Sequence, residues 1–152
     1  SGDYLATSLI DIGHDLTARE IVIDDIYKIR AIISQWIAED NMHAILITGG
    51  TGFTDRDSTP EAVLPLFDKV IDGYGELFRQ VSYESIGTST LQSRALAGIA
   101  NGTPIFCMPG STNACRTAWE ELISAQLDSR QGPCNFVPHI RGVDFEACRS
   151  RA

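Results

Sequence analysis

Basic residues are scarce in this chain of 152 residues. Lys and Arg number 12 against 20 Asp and Glu, a formal net charge of −8. That balance argues against a protein that wraps nucleic acid or lies on an anionic membrane. It leaves room for a small anionic ligand, because one local site can oppose the global charge. No apolar run approaches the roughly 20 residues of a membrane span. No basic stretch followed by an apolar one opens the chain as a signal peptide does. An initiator Met is also lacking, and Ser1-Gly2-Asp3 leads straight into helix-like sequence.

Cysteines number four. Cys107, Cys115, Cys134 and Cys148 form no CxxC pair, and His14, His43 and His139 are scattered. The clustered ligand spacing of a zinc site is therefore missing. Cys107 lies in an apolar run and Cys115 on a predicted helix, where cysteine acts as a small hydrophobe. The expectation is four reduced, structural thiols in a cytoplasmic protein. No Ser/His/Asp or Cys/His constellation is legible, and His139 beside Pro138 reads as structural.

What is present suffices for one domain. Hydrophobic residues make up 43%, enough for a core and too many for a disordered chain. Leu5, Leu9 and Ile12 mark one face of a first helix that Gly13 can end. Glu20-Ile21-Val22-Ile23 is a short strand candidate. Asp24 and Asp25 follow at a helix start, ahead of Ile26, Ile29, Ile33, Trp36 and Ile37 at spacings of three and four. His43 to Thr48 reads as a buried strand. Thr59-Pro60-Glu61 predicts a helix with a Thr cap and an apolar stripe of Val63, Phe67 and Val70. Another helix holds Leu77, Phe78 and Val81. Thr88-Ser89-Thr90 precedes a third, carrying Leu91, Ala95 and Ile99. Pro104 to Met108 is the next buried strand. Pro109-Gly110-Ser111-Thr112 then turns into a helix with Cys115, Trp119, Leu122 and Ile123 on one side. Trp36 and Trp119 read as core. The alternation predicts an α/β fold, a parallel sheet with helices on both faces. One domain over residues 1–140 is expected, with a tail over 141–152 that is frayed or a short surface helix.

Three segments could carry chemistry. The first is Thr48-Gly49-Gly50-Thr51-Gly52, followed by Arg56-Asp57-Ser58-Thr59. It leaves a strand at its carboxyl end, where open α/β sheets bind ligands. Its glycines either serve a tight turn or let backbone N–H groups approach a phosphate. No Walker lysine follows, and the spacing is not the dinucleotide fingerprint. Asp57 is a solvated loop acid, a local cap, or a ligand of Mg²⁺ shared with phosphate oxygens. Arg56 supplies direct charge compensation under the last reading. Asp24 or Asp25 could share that metal if the strands are neighbours, although acids also favour helix starts. The second segment is Gly87 to Arg94, whose hydroxyls make either an anion site or ordinary caps. The third, Pro109-Gly110-Ser111, opens a helix after the other buried strand. Glu76, between Gly75 and Leu77, is a weaker candidate and reads equally as an exposed helix-start acid.

Taken in order, these motifs resemble the molybdopterin-binding MoaB/MogA family of molybdenum cofactor biosynthesis proteins. Gly49 to Gly52, Arg56 to Glu61, Gly73 to Glu76, Thr88 to Arg94 and Pro109 to Ser111 carry the likeness. Cys115 to Glu120 and Pro133-Cys134-Asn135-Phe136 bring it closest to the MoaB branch. The resemblance covers about residues 1–140. It implies a three-layer α/β/α molybdopterin-binding domain with a mostly parallel sheet, assembled as a homotrimer or homohexamer. It also implies a first strand and an acid-containing loop ahead of Ser1, hence a longer native chain. The implied activity is adenylylation of molybdopterin by Mg-ATP with release of pyrophosphate. The alternatives are a cofactor-handling protein that binds the pterin without turnover, and a structural oligomer. Other molybdenum cofactor biosynthesis proteins are implied partners. Asp57 and Asp24 resemble the family's catalytic and Mg²⁺-binding acids. Gly49, Gly50, Thr51, Gly52, Arg56, Ser58, Thr59, Glu76, Ser89, Thr90, Ser93, Arg94, Pro109, Gly110 and Ser111 resemble the residues that bind pterin and nucleotide.

Overall fold

The computed structural model of the chain describes residues 1–143. Helix α1 spans Gly2–Asp11 and α2 spans Ile26–Ile37. Strand β1 is Ile45–Thr48, followed by α3 (Thr59–Val63) and β2 (Lys69–Val70). Helix α4 spans Asp72–Ile86. Strands β3 (Leu96–Ala100) and β4 (Thr103–Met108) come next, then α5 (Thr112–Ala118) and a π-helical turn, Trp119–Ile123.

The strands lie in the order β1-β4-β3-β2. Among the described residues β1–β4 is the one parallel neighbour pair, and β4 with β3 and β3 with β2 are antiparallel. The α/β class holds, but the sheet is mixed among the described residues rather than mostly parallel. Its cause is one turn. Asn101 and Gly102 both have positive φ, 50° and 72°, and Ala100 pairs with Thr103. A two-residue turn of that hand joins twisted antiparallel strands and cannot join parallel ones.

The expected helix through Leu91, Ala95 and Ile99 is therefore overturned. Gly87–Gln92 is a 3₁₀ segment and Leu96–Ala100 a strand. Side chains of that strand alternate between the two cores: Ala97 enters one, while Leu96 and Ala100 enter the other. The stripe of Val63, Phe67 and Val70 fails for a different reason. Pro65, just beyond the end of α3, cannot donate a helical hydrogen bond, so α3 passes into a 3₁₀ turn at Leu64–Leu66. Val70 then pairs with Gly98 in the sheet. Glu20 to Ile23 forms no strand. Ile21 is 94% exposed, and only Val22 packs inward.

Helices cover both faces of the sheet. Phe106 and Met108 of β4 pack with Leu5 of α1, Tyr74 and Phe78 of α4, and Cys115 and Ala118 of α5. Ile105 and Cys107 point the other way, onto Ile29 and Ile33 of α2 and Ala62 and Val63 of α3. The result is three layers with a core on each side. Trp119 is buried as expected, and Trp36 packs at the edge of the second core. Cys107 and Cys115 are buried free thiols and Cys134 is an exposed one. No helix among the described residues is long and apolar enough to cross a membrane. The tail expected from residue 141 lies outside the described residues from 144 onward. Arg141 itself is tied down, its amide donating to the Gly102 carbonyl at 2.8 Å.

Candidate functional site

Parallel pairing of β1 with β4 sets Thr48 beside Met108. The two loops that leave these strands are therefore neighbours. The Gly49 amide extends the pairing by donating to the Met108 carbonyl at 2.9 Å. The Thr48 hydroxyl donates to the Pro109 carbonyl at 3.1 Å. A side chain at Gly110 would stand 3.4 Å from the Gly49 backbone. This is the crevice at the carboxyl ends of the strands that α/β sheets use for ligands.

Thr59 closes the first loop. Its amide donates to the Gly50 carbonyl at 3.0 Å and its hydroxyl to the Gly49 carbonyl at 2.9 Å. The expected Thr cap is thus displaced by one residue: Ser58 takes the cap position, without a side-chain bond. Gly50 has φ of +68°, and a Cβ there would press on the Thr59 hydroxyl and come within 3.3 Å of Asp24 Oδ1. Only glycine meets both demands.

Asp57 Oδ2 accepts from the Thr54 hydroxyl at 2.7 Å and the Thr54 amide at 2.9 Å. These bonds hold its carboxyl below the usual carboxylate range, so it is ionised at neutral pH. The two adjacent acids before α2 separate cleanly. Asp25 caps the helix, accepting from the amides of Tyr27 and Lys28 at 3.0 and 2.9 Å. Asp24 instead turns toward Gly50.

A cavity of about 260 Å³ collects three of the segments singled out in the sequence. Gly50, Thr51, Gly52 and Asp57 form one wall. Ser89, Thr90 and Ser93 form another, and Pro109, Gly110 and Ser111 a third. Ser93 and Ser111 each accept a hydrogen bond from a backbone amide, of Ala95 and Ala114. Each keeps its hydroxyl proton to give to a ligand. The Thr90 hydroxyl is turned to the Arg79 carbonyl.

Asp24, Gly49 and Thr59 line a second cavity, of about 750 Å³, beside β1. Asp24 and Asp57 thus flank the same glycine loop from different sides. Arg56 is exposed and Glu76 lies on the exposed side of α4. Neither lines either cavity. The Ser58 hydroxyl is buried with no partner among the described residues. The Arg94 side chain is engaged by carbonyls of the loop itself, at Gly52 and Asp57. Sequence reasoning passed over Ser82 and Ser85 of α4 and Asn113 and Thr117 of α5, which line the cavity. Their spacings of three and four, which set each pair on one helix face, were the available signal.

Among the described residues no three His, Cys, Asp or Glu side chains group to hold a metal. That donor set does not fit a caged ion. It does fit Mg²⁺ arriving with phosphate oxygens, which needs only one or two carboxylates.

Comparison with known proteins follows the same line. A family described as "Probable molybdopterin binding domain" matches residues 1–129. Molybdenum cofactor biosynthesis protein B of Escherichia coli K12 is 58% identical over 141 residues, covering 93% of this chain and 83% of that protein. Its Bacillus subtilis counterpart is 40% identical over 128 residues, 84% of this chain and 75% of that one. A crystal structure of molybdenum cofactor biosynthesis protein B superposes with a TM-score of 0.81 at 43% identity, over 84% of this chain and 80% of that one. The tungsten cofactor synthesizing protein MoaB from Pyrococcus furiosus gives 0.74 at 37% identity, over 84% and 79%.

Proposed function

This chain belongs to the molybdopterin-binding family of molybdenum cofactor biosynthesis proteins, and from that premise we propose that its 260 Å³ cavity binds molybdopterin for adenylylation by Mg-ATP. The observation that carries the reading is the meeting of three loop segments around one cavity with ionised Asp57 in its wall. The pterin's terminal phosphate oxygen attacks the α-phosphorus of ATP. The new P–O–P bridge forms as the bond to the β-phosphate oxygen breaks, and pyrophosphate leaves.

Such a transfer runs on positioning and charge neutralisation, with little covalent work for the protein. That suits a cavity whose described lining has no Cys or His to act as a nucleophile or to activate one. Backbone N–H groups of the glycine loop and the hydroxyls of Ser93 and Ser111 supply neutral donors for phosphate oxygens. Asp57 would hold Mg²⁺, with Asp24 on the far side of the loop. When bound, the cation neutralises phosphate charge and lets a carboxylate stand in an anion site. Oligomeric assembly and a cytoplasmic setting belong to the same proposal.

One observation favours a second reading, pterin binding without turnover. At about 260 Å³ the cavity is close to the lower end of the roughly 300–1,000 Å³ of pockets that enclose drug-sized ligands, a size that suits a pterin by itself. Calorimetric titration with molybdopterin and with Mg-ATP, followed by a pyrophosphate-release assay, decides between them. Adenylylation requires pyrophosphate only when both substrates are present, and a loss of at least about 100-fold in Asp57→Asn. Molybdopterin binding with no pyrophosphate leaves the second reading.

A further inference from the structure

Arg94 makes more contacts with the Asp57 loop than any ligand-facing role requires. Its Nε donates to the Gly52 carbonyl at 2.9 Å and one Nη to the Asp57 carbonyl at 3.0 Å. The other Nη meets the Glu61 carboxylate. Its own amide donates to the Thr51 carbonyl at 2.9 Å. The guanidinium carbon lies 5.3 Å from the centre of the Phe53 ring. Every nitrogen of the side chain is thus engaged by one stretch of chain. The side chain is 27% exposed, and it lines neither cavity.

We propose that Arg94 is a positioning residue: it clamps the glycine loop to the Ser89–Ser93 wall, so that Asp57 and Ser93 face one ligand at a fixed separation. The covalent chain supplies the second half of the clamp. Ser93 lines the cavity, and Arg94 follows it directly. Carbonyls at Gly52 and Asp57 bracket the turn in which Thr54 holds the Asp57 carboxylate. Pinning both to one planar group fixes the turn as a unit. A guanidinium presents five N–H donors in a rigid fork, whereas a lysine ammonium is a point donor on a flexible stem. Lysine therefore cannot span Gly52, Asp57 and Glu61 together.

The inference rests on the cavity being the molybdopterin site, and the test separates the two claims. Amide hydrogen exchange on the full-length, ligand-free protein reads the clamp alone. In Arg94→Ala, exchange over residues 50–58 is expected to rise about tenfold, while β1 and β4 stay protected. Calorimetry with molybdopterin reads the consequence, an affinity at least about tenfold weaker. Millimolar guanidinium is expected to recover most of that loss, and Arg94→Lys to recover little of it. Unchanged exchange in Arg94→Ala overturns the proposal, even where affinity falls, because direct ligand contact then accounts for the loss. Faster exchange with wild-type affinity overturns it too. A wild-type protein that does not bind molybdopterin sinks the site reading and leaves the exchange result standing. Should Arg94→Ala fail to fold, Glu61→Ala removes one arm of the clamp at a half-exposed position. Faster exchange over residues 50–58 in that variant supports the clamp, and unchanged exchange overturns it.

Discussion

Adjacent acids in this chain take different work because their neighbours differ. Asp25 caps α2, whereas Asp24 reaches toward Gly50. The sequence left that choice open, since either acid suits a helix start. Glu61 shows the same dependence on context. Its hydrogen bond from Arg94 holds its carboxyl below the ordinary value of 4.5. A carboxyl with a depressed folded pKa adds stability above its unfolded pKa and loses it as pH falls through the folded one. Glu61→Gln is therefore expected to lower Tm at pH 7 and to converge on the wild type as pH falls through the folded pKa of Glu61. The side chain is 47% exposed, so solvent screening keeps the neutral-pH cost below about 1 kcal/mol. Thermal unfolding of both proteins across that range checks the convergence.

Elements were legible where one local pattern dominated. Strands β1 and β4 stand out as apolar runs, and α1, α2, α4 and α5 by helical spacing. Strand β3 was hidden because Ala97, Gly98 and Ala100 have little β propensity of their own. Gly98 is needed all the same, since a Cβ there would enter the Phe67 ring. The missed signal was Asn101-Gly102, the strongest short hairpin pair. It makes a prediction at this scale. A side chain at Gly102 would meet the Arg141 Cβ at 2.7 Å, and its φ is +72°. Gly102→Ala is expected to cost about 1–3 kcal/mol in urea unfolding. Affinity for molybdopterin should be unchanged, because the turn and the cavity lie at opposite ends of β4.

The whole molecule is two cores divided by a thin sheet. Cys107 lies in one and Cys115 in the other. Burial pushes both thiols up, and only the thiolate reacts readily. Iodoacetamide at neutral pH should therefore spare both in the folded protein and modify Cys134, which is exposed. Modification of Cys107 and Cys115, followed by mass spectrometry through a urea series, should track global unfolding. At this scale the net charge of −8 also finds its place. A site for anions in an acidic chain relies on backbone N–H groups, hydroxyls and a cation brought by the ligand, while Arg94 is held by the loop. The α/β class, the buried thiols and the three segments that wall the cavity can be read from the chain without its fold. Each follows from residue type and near-neighbour spacing. The β3–β4 hairpin, the acid that turns to the loop and the binding of Arg94 by loop carbonyls emerge only from the folded chain. Those outcomes depend on pairings between residues far apart in the chain, and no local pattern encodes which distant partner a strand or side chain will meet.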